Sequence, residues 1–273
     1  MNKQGRGFIT IACNTQDINY LEHAYLLAES IKDTQKENNI SLIANASAVS
    51  ILEEKHRKIF DNITTVMLDD DPRKNYAVEN RVWNASPYKQ TIKIESDFII
   101  PHSIDHWWDI LDQRDIVLTT NALTYWGDKI SNRSQRKLFD ENDLPDVYNA
   151  VYYFRYSQQS ANFFKLITAI FQHWDWFKDF YLKNCRYEYP VTDEVFAIAA
   201  KIFGIEKCTL ANSTVPSFVH MKNALQNLPT DSPWWEYVYF EKDQNSFSIG
   251  HYKQTVPFHY QNKKFLEIVN DRC

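Results

Sequence analysis

The chain has 273 residues, 44% hydrophobic and 15% aromatic, with a formal net charge of -5 and a pI near 5.9. That is apolar material for a sizeable core, so a disordered body is excluded, and the acidic balance argues against bulk nonspecific nucleic-acid binding while leaving room for a local basic groove. Only five glycines occur and none builds a GxGxxG, GxxxxGKS/T or GxSxG pattern, which sets aside a Rossmann dinucleotide site, a P-loop and a nucleophile elbow.

In chain order, GFITIACN (7–14) is an apolar, β-branched run that predicts a strand. INYLEHAYLLAESIKDTQ (18–35) predicts a helix capped by Asp17, with Leu21, Ala24, Tyr25, Ala28 and Ile31 at helical spacing. ISLIANA (40–46) predicts a strand, SAVSILEEKHRKIF (47–60) a helix beginning at Ser47, and ITTVMLDD (63–70) a third strand. NYAVENRVWNASPY predicts a helix ending near Pro87, and KQTIKIESDFII a fourth strand. SIDHWWDILDQ (103–113) predicts a helix capped by Ser103, and DIVLTTNAL (115–123) a fifth strand.

The second half is less regular. Residues 124–145 are polar and predict a loop. VYNAVYYFR (147–155) predicts a strand, SQQSANFFKLITAIFQHWDWFKDFY (157–181) one long helix, and TDEVFAIAAKIFG (192–204) a helix capped by Thr192 and stopped by Gly204. Alternating strands and helices imply βαβ units, hence an α/β fold with a mainly parallel central sheet in one domain. Ligands in such sheets bind beyond the carboxyl ends of the strands, which draws attention to Cys13-Asn14-Thr15, Asp69-Asp70-Asp71 and Glu95-Ser96-Asp97.

The four cysteines, Cys13, Cys185, Cys208 and Cys273, show no CxxC spacing, so neither a disulfide framework nor a zinc site is expected and a cytoplasmic location is. No apolar run reaches the length of a membrane helix, and MNKQGRGFITIA lacks a secretory pattern. Asp69-Asp70-Asp71 precedes Pro72 and reads as a solvated turn, and His251 and His259 read as structural.

The strand at 88–100 carries the chemistry. Period-two alternation puts Lys93, Glu95 and Asp97 on one face. Acids in an apolar strand need a cation, either Lys93 or a divalent metal at the strand's end.

The order of these elements resembles the GT-A glycosyltransferases, with Glu95-Ser96-Asp97 in place of the family's DxD motif. VYNAVYYFRYSQQS (147–160) resembles a strand-to-helix segment of the glycogenin-like retaining branch, with Asn149 and Ala150 aligned. TDEVFAIAA resembles the acidic helix start facing donor sugar and acceptor, and VPSFVHMKNAL (215–225) resembles that branch's late His-x-x-x-x-Lys element, compressed here to His220-Met221-Lys222. The resemblance spans roughly residues 6 to 225 and implies a single GT-A domain: a nucleotide-binding half over 1–123, an acceptor and metal half over 124–225, and an irregular extension over 226–273.

It also implies roles. Glu95, Asp97 and His220 would hold Mn²⁺ or Mg²⁺ against the diphosphate of a UDP-sugar, and Lys222 would add a cationic contact. Cys13, Asn14, Thr15 and Tyr20 would border the nucleoside, and Arg81 and Lys89 would reach phosphate or sugar. Asp193, Glu194 and Asn149 would serve catalysis.

RGFITIACNTQDINYLEHAYLLAESIK and IKIESDFIIPHSIDHWW are similar to glycosyltransferases of tailed bacteriophages, which implies transfer to hydroxymethylated pyrimidines such as 5-hydroxymethylcytosine in phage DNA. That acceptor needs a basic rim, for which Arg133, Arg136, Lys137, Lys253, Lys263, Lys264 and Arg272 are the candidates. A surface carbohydrate or a protein is the alternative acceptor. A silent nucleotide-binding module is the alternative to an enzyme.

Overall fold

The first βα units follow the apolar pattern closely. The structure is a computed structural model describing residues 3–67, 78–211, 214–241 and 246–270. Strand β1 (Arg6–Ala12) leads to helix α1 (Tyr20–Thr34), whose Leu21, Ala24, Leu27, Ala28 and Ile31 are buried on one face. The helix is capped by Asn19, which accepts from the Leu21 N–H, and not by Asp17. Strand β2 (Ile40–Asn45) follows. The single helix expected next is two: α2 (Ala46–Ser50), capped by Asn45, and α3 (Glu54–Ile59). The His56 ring accepts from the Glu53 N–H at 3.0 Å, a local cap that starts a fresh helix there. Strand β3 (Asn62–Val66) closes this half, and Asp69-Asp70-Asp71 lies outside the described residues.

Two predicted strands are each divided between sheets. After the short helix α4 (Val82–Ala85), the run at 88–100 forms β4 (Gln90–Ile94) and β5 (Phe98–Ile99), separated by Glu95-Ser96-Asp97. Helix α5 (Trp107–Leu111) begins later than Ser103 predicts. Beyond it, residues 115–123 become β6 (Ile116–Thr119) and β7 (Asn121–Leu123).

The expected loop at 124–145 contains helix α6 (Lys137–Asn142). Strand β8 (Tyr148–Arg155) precedes α7 (Gln158–Gln172) and α8 (Trp174–Tyr181), which break at His173 where one helix was expected. Helix α9 (Thr192–Phe203) ends at Gly204, whose φ of +97° an L side chain rarely adopts. Its cap position is Val191 and not Thr192. The remaining elements are β9 (Ser217–His220), β10 (Val238–Phe240), β11 (Phe247–Ile249), β12 (Tyr252–Lys253), β13 (Phe258–His259) and α10 (Lys264–Asn270).

The main sheet has the order β3-β2-β1-β4-β8-β6, with β1 to β4 parallel and β8 antiparallel to both its neighbours. One face packs on α1 and α5 through Phe8, Leu27, Ile92 and Trp108, and the other on α7 and α9 through Ile9, Tyr152, Phe163 and Phe196. A second sheet, β5-β13-β9-β7, takes up the far halves of the two divided strands. A small antiparallel sheet, β10-β11-β12, lies beyond. Among the described residues no helix is long and apolar enough to cross a membrane.

Candidate functional site

The carboxyl ends of β1 and β4 open onto a cavity of about 550 Å³. Glu95 leaves β4 with its N–H bonded to the Ala150 carbonyl at 2.9 Å, so the exit is held by β8. Asp97 is fixed from the other side, its carbonyl accepting from the Tyr260 N–H at 3.2 Å. Strand β13 then places His259 opposite Phe98 on β5 and His220 on β9.

These pairings bring one atom each of Glu95, Asp97 and His259 within 4.8 Å of one another. His259 Nε2 lies 3.0 Å from Asp97 Oδ2 and 3.6 Å from Glu95 Oε2. The Lys263 ammonium rests on the same Asp97 oxygen at 2.5 Å. Burial alone would raise the Asp97 carboxyl, but His259 and Lys263 outweigh it and hold it well below the usual carboxylate range. Two carboxylates and an imidazole suit a divalent cation of the Mn²⁺ or Mg²⁺ kind, which completes its shell with substrate oxygens and water.

Behind His259 stands His220, the histidine to which the sequence pattern points. The two rings stack with centroids 4.9 Å apart and 21° between planes. His220 is outside the three-residue group, and neither of its ring nitrogens has a hydrogen-bond partner among the described residues. Burial first, then the neighbouring His259, depresses its basicity well below the usual range.

The cavity floor holds a buried ion pair. Lys93, fully buried, places its ammonium 2.7 Å from Glu79, 3.0 Å from the Asn149 carbonyl and 3.9 Å from Glu95. Glu79, and not Glu95, is thus its nearest acid. Tyr152 donates to the other Glu79 oxygen at 3.2 Å. Burial pushes the Glu79 carboxyl up, and Lys93 opposes that.

A second cavity of about 390 Å³ adjoins the first and shares Lys222 with it. Asp193 and Glu194 line it, while the preceding Thr192 lines the first. Asp193 accepts from the Asn149 N–H at 3.0 Å and pairs with the buried Arg136 at 3.2 Å. Arg136 lies 3.8 Å from the Tyr148 ring centroid. The Glu194 carboxyl is pushed up to about 7 by burial, and by Asp193 next to it.

No family of known sequences and no curated protein matches the chain. Solved structures do. An active-site mutant of LgtC matches with a TM-score of 0.53 at 10% identity, over 97% of this chain and 94% of that one. The apo-form glycosyltransferase GlyE of Streptococcus pneumoniae TIGR4 matches with a TM-score of 0.52 at 9% identity, over 99% of this chain and 60% of that one. The fold is that of the GT-A glycosyltransferases.

Within this GT-A fold the residues expected around the donor, His220 aside, separate into three groups. Cys13, Tyr20, Glu95, Asp97 and Lys222 line the first cavity. The Cys13 thiol there is pushed up to about 11 by burial and then by Glu79. Asn14 and Thr15 shape the β1–α1 loop. The Asn14 side chain accepts from the Leu21 N–H at 3.0 Å and donates to Asn19 at 2.8 Å, and Thr15 binds the Ile18 N–H. Arg81 and Lys89 are exposed and line neither cavity. Lys89 precedes β4, so it sits at the amino edge of the sheet, away from Glu95.

His259, Lys263, Glu79 and Lys93 complete the cavity; the sequence pattern offers Lys93 only as a partner for the strand's acids and Lys263 only for a basic rim, reads His259 as structural and leaves Glu79 without a role. One signal was available: His259 and Lys264 have the uncompressed His-x-x-x-x-Lys spacing that His220 and Lys222 lack. The expected basic rim is largely neutralised. Arg133 pairs with Asp140 and Asp146, Arg136 with Asp193, Lys137 with Glu141, and Lys253 with Glu241. Lys264 lies over Trp235, and Arg272 is outside the described residues.

Proposed function

We propose that the chain is a glycosyltransferase that moves a sugar from a nucleoside diphosphate sugar, UDP first, to a hydroxyl acceptor. Glu95, Asp97 and His259 would hold Mn²⁺ or Mg²⁺. The meeting of those three side chains beside Lys222 and Lys263, at the carboxyl edge of a parallel sheet, carries the reading. Fold alone would not, since one fold hosts many chemistries.

When bound, the cation offsets charge that builds on the departing diphosphate. The chain's residues supply the rest. Lys222 and Lys263 present ammonium groups to the phosphates, and Tyr20 and Cys13 wall the nucleoside end. The acceptor enters by the second cavity, where Glu194 is placed to take its proton and Arg136 with Asn149 fixes Asp193. Retention of anomeric configuration goes with the resemblance to the glycogenin-like branch.

The acceptor of first choice by resemblance is a hydroxymethylpyrimidine in phage DNA, acted on in the cytoplasm of the infected cell. The ion pairs along the expected rim leave that choice resting on the resemblance. The test is incubation with a panel of nucleotide sugars, with and without Mn²⁺, against hydroxymethylated DNA, free glycosides and protein. Product masses name sugar and acceptor, and NMR of the product reads the anomer. Absence of both nucleotide-sugar binding and donor hydrolysis across the panel would sink the reading.

A further inference from the structure

Lys263 rests on Asp97, the carboxylate that the proposed function assigns to a metal ion. Its ammonium shares Asp97 Oδ2 with His259 Nε2, so one oxygen of a buried carboxylate serves both groups. Two features aim the lysine there. Gln261 adopts φ +52°, a left-handed conformation that turns the chain sharply after β13. Asn262 then donates its N–H to the Tyr260 carbonyl, tightening the same turn. Beyond Asp97 the lysine has one further partner among the described residues, the Tyr20 ring, whose centroid lies 5.0 Å from the ammonium; its side chain is 27% exposed and lines the cavity with Lys222.

We infer that Lys263 is an exchangeable counter-ion, which neutralises Asp97 when no metal is present and moves to the donor's diphosphate when metal and nucleotide enter. The physical reason is charge. Asp97 is buried and costly without a cation. An ammonium and a divalent ion sharing one carboxylate repel each other. The lysine must leave, and its long flexible stem lets it reach a diphosphate in the same cavity without unfolding the turn. Metal and nucleotide then favour the same lysine position, so each strengthens the binding of the other.

This inference rests on the proposed function, and one experiment separates the two. Mn²⁺ binding is measured by isothermal titration, without and with UDP, for the wild type, Lys263→Gln and Lys264→Gln. Lys264→Gln removes the same charge one residue away, from a side chain that does not touch Asp97. Lys263→Gln should bind Mn²⁺ about tenfold more tightly in the absence of nucleotide, and UDP about tenfold more weakly at saturating Mn²⁺. Lys264→Gln should match the wild type in Mn²⁺ affinity. Equal Mn²⁺ affinity in wild type and Lys263→Gln, or an equal gain in Lys264→Gln, overturns the exchange and leaves the metal site standing. No Mn²⁺ binding in any of the three overturns the metal site, and the exchange with it.

Discussion

The imidazoles of His220 and His259 lie nearly parallel on paired strands, with centroids 4.9 Å apart. One touches the two acids and the other backs it. Removal of each should therefore weaken metal binding by different amounts. His259→Ala should abolish measurable Mn²⁺ binding, as should Asp97→Ala. His220→Ala, which removes only the support, should cost about tenfold, within the range for groups that orient a ligand. Titration calorimetry of the folded variants reads all three, and equal losses for the two histidines would contradict this division.

Glu194 makes stability depend on pH. Its carboxyl is held at about 7, above its ordinary value of 4.5, because burial disfavours the charged form. The folded state therefore keeps a proton that the unfolded chain releases. The stabilisation is fully present below about pH 4.5, falls as pH rises, and is gone above about 7. Glu194→Gln should remove this slope and be the more stable protein at pH 8 relative to pH 5, by on the order of 3 kcal/mol. Urea unfolding of both proteins at the two pH values is the measurement. If Glu194 takes the acceptor's proton, the wild-type rate should rise through the same pH window and the variant's should not.

The Lys93–Glu79 pair should be costly to break on one side only. Lys93→Met leaves Glu79 buried without its cation and should destabilise by about 3–5 kcal/mol. Lys93→Met combined with Glu79→Gln should recover most of that. Denaturant midpoints give the comparison, and a double variant as unstable as the single one would argue that Lys93 acts through packing instead.

Asp193 separates catalysis from donor binding. Asp193→Asn keeps an oxygen for the Asn149 N–H but gives up the charge that pairs with Arg136. The turnover rate should fall by about 100-fold, the scale of a misplaced catalytic carboxylate. The Kd for UDP should change by less than about twofold, since Asp193 lines the second cavity and not the first.

Much of the fold was legible because its core strands and long helices carry clean periodicity. Phe8, Ile9, Ile92 and Ile94 are buried where the β pattern put them, and Leu21, Ala24, Ala28 and Ile31 where the helical one did. Short-range signals were weaker. The break at His173 has no glycine or proline to announce it, and Asn19 lies inside what read as the helix starting at 18. Glu95 and Asp97 were visible because acids are out of place in an apolar strand. His259 was not, because β13 is only two residues long and its pairing with β5 and β9 joins residues far apart in the chain.

The two sheets have one further consequence. Glu95 hangs from the end of β4 in the main sheet, whereas His259 belongs to β13 in the second. From Glu95 the chain passes only through Ser96 and Asp97 before β5 begins in the second sheet. Whatever grips Glu95 and His259 together acts as a rivet across a seam. It fastens the end of one sheet to the other, so a ligand held by both side chains also braces the junction at Ser96 and Asp97.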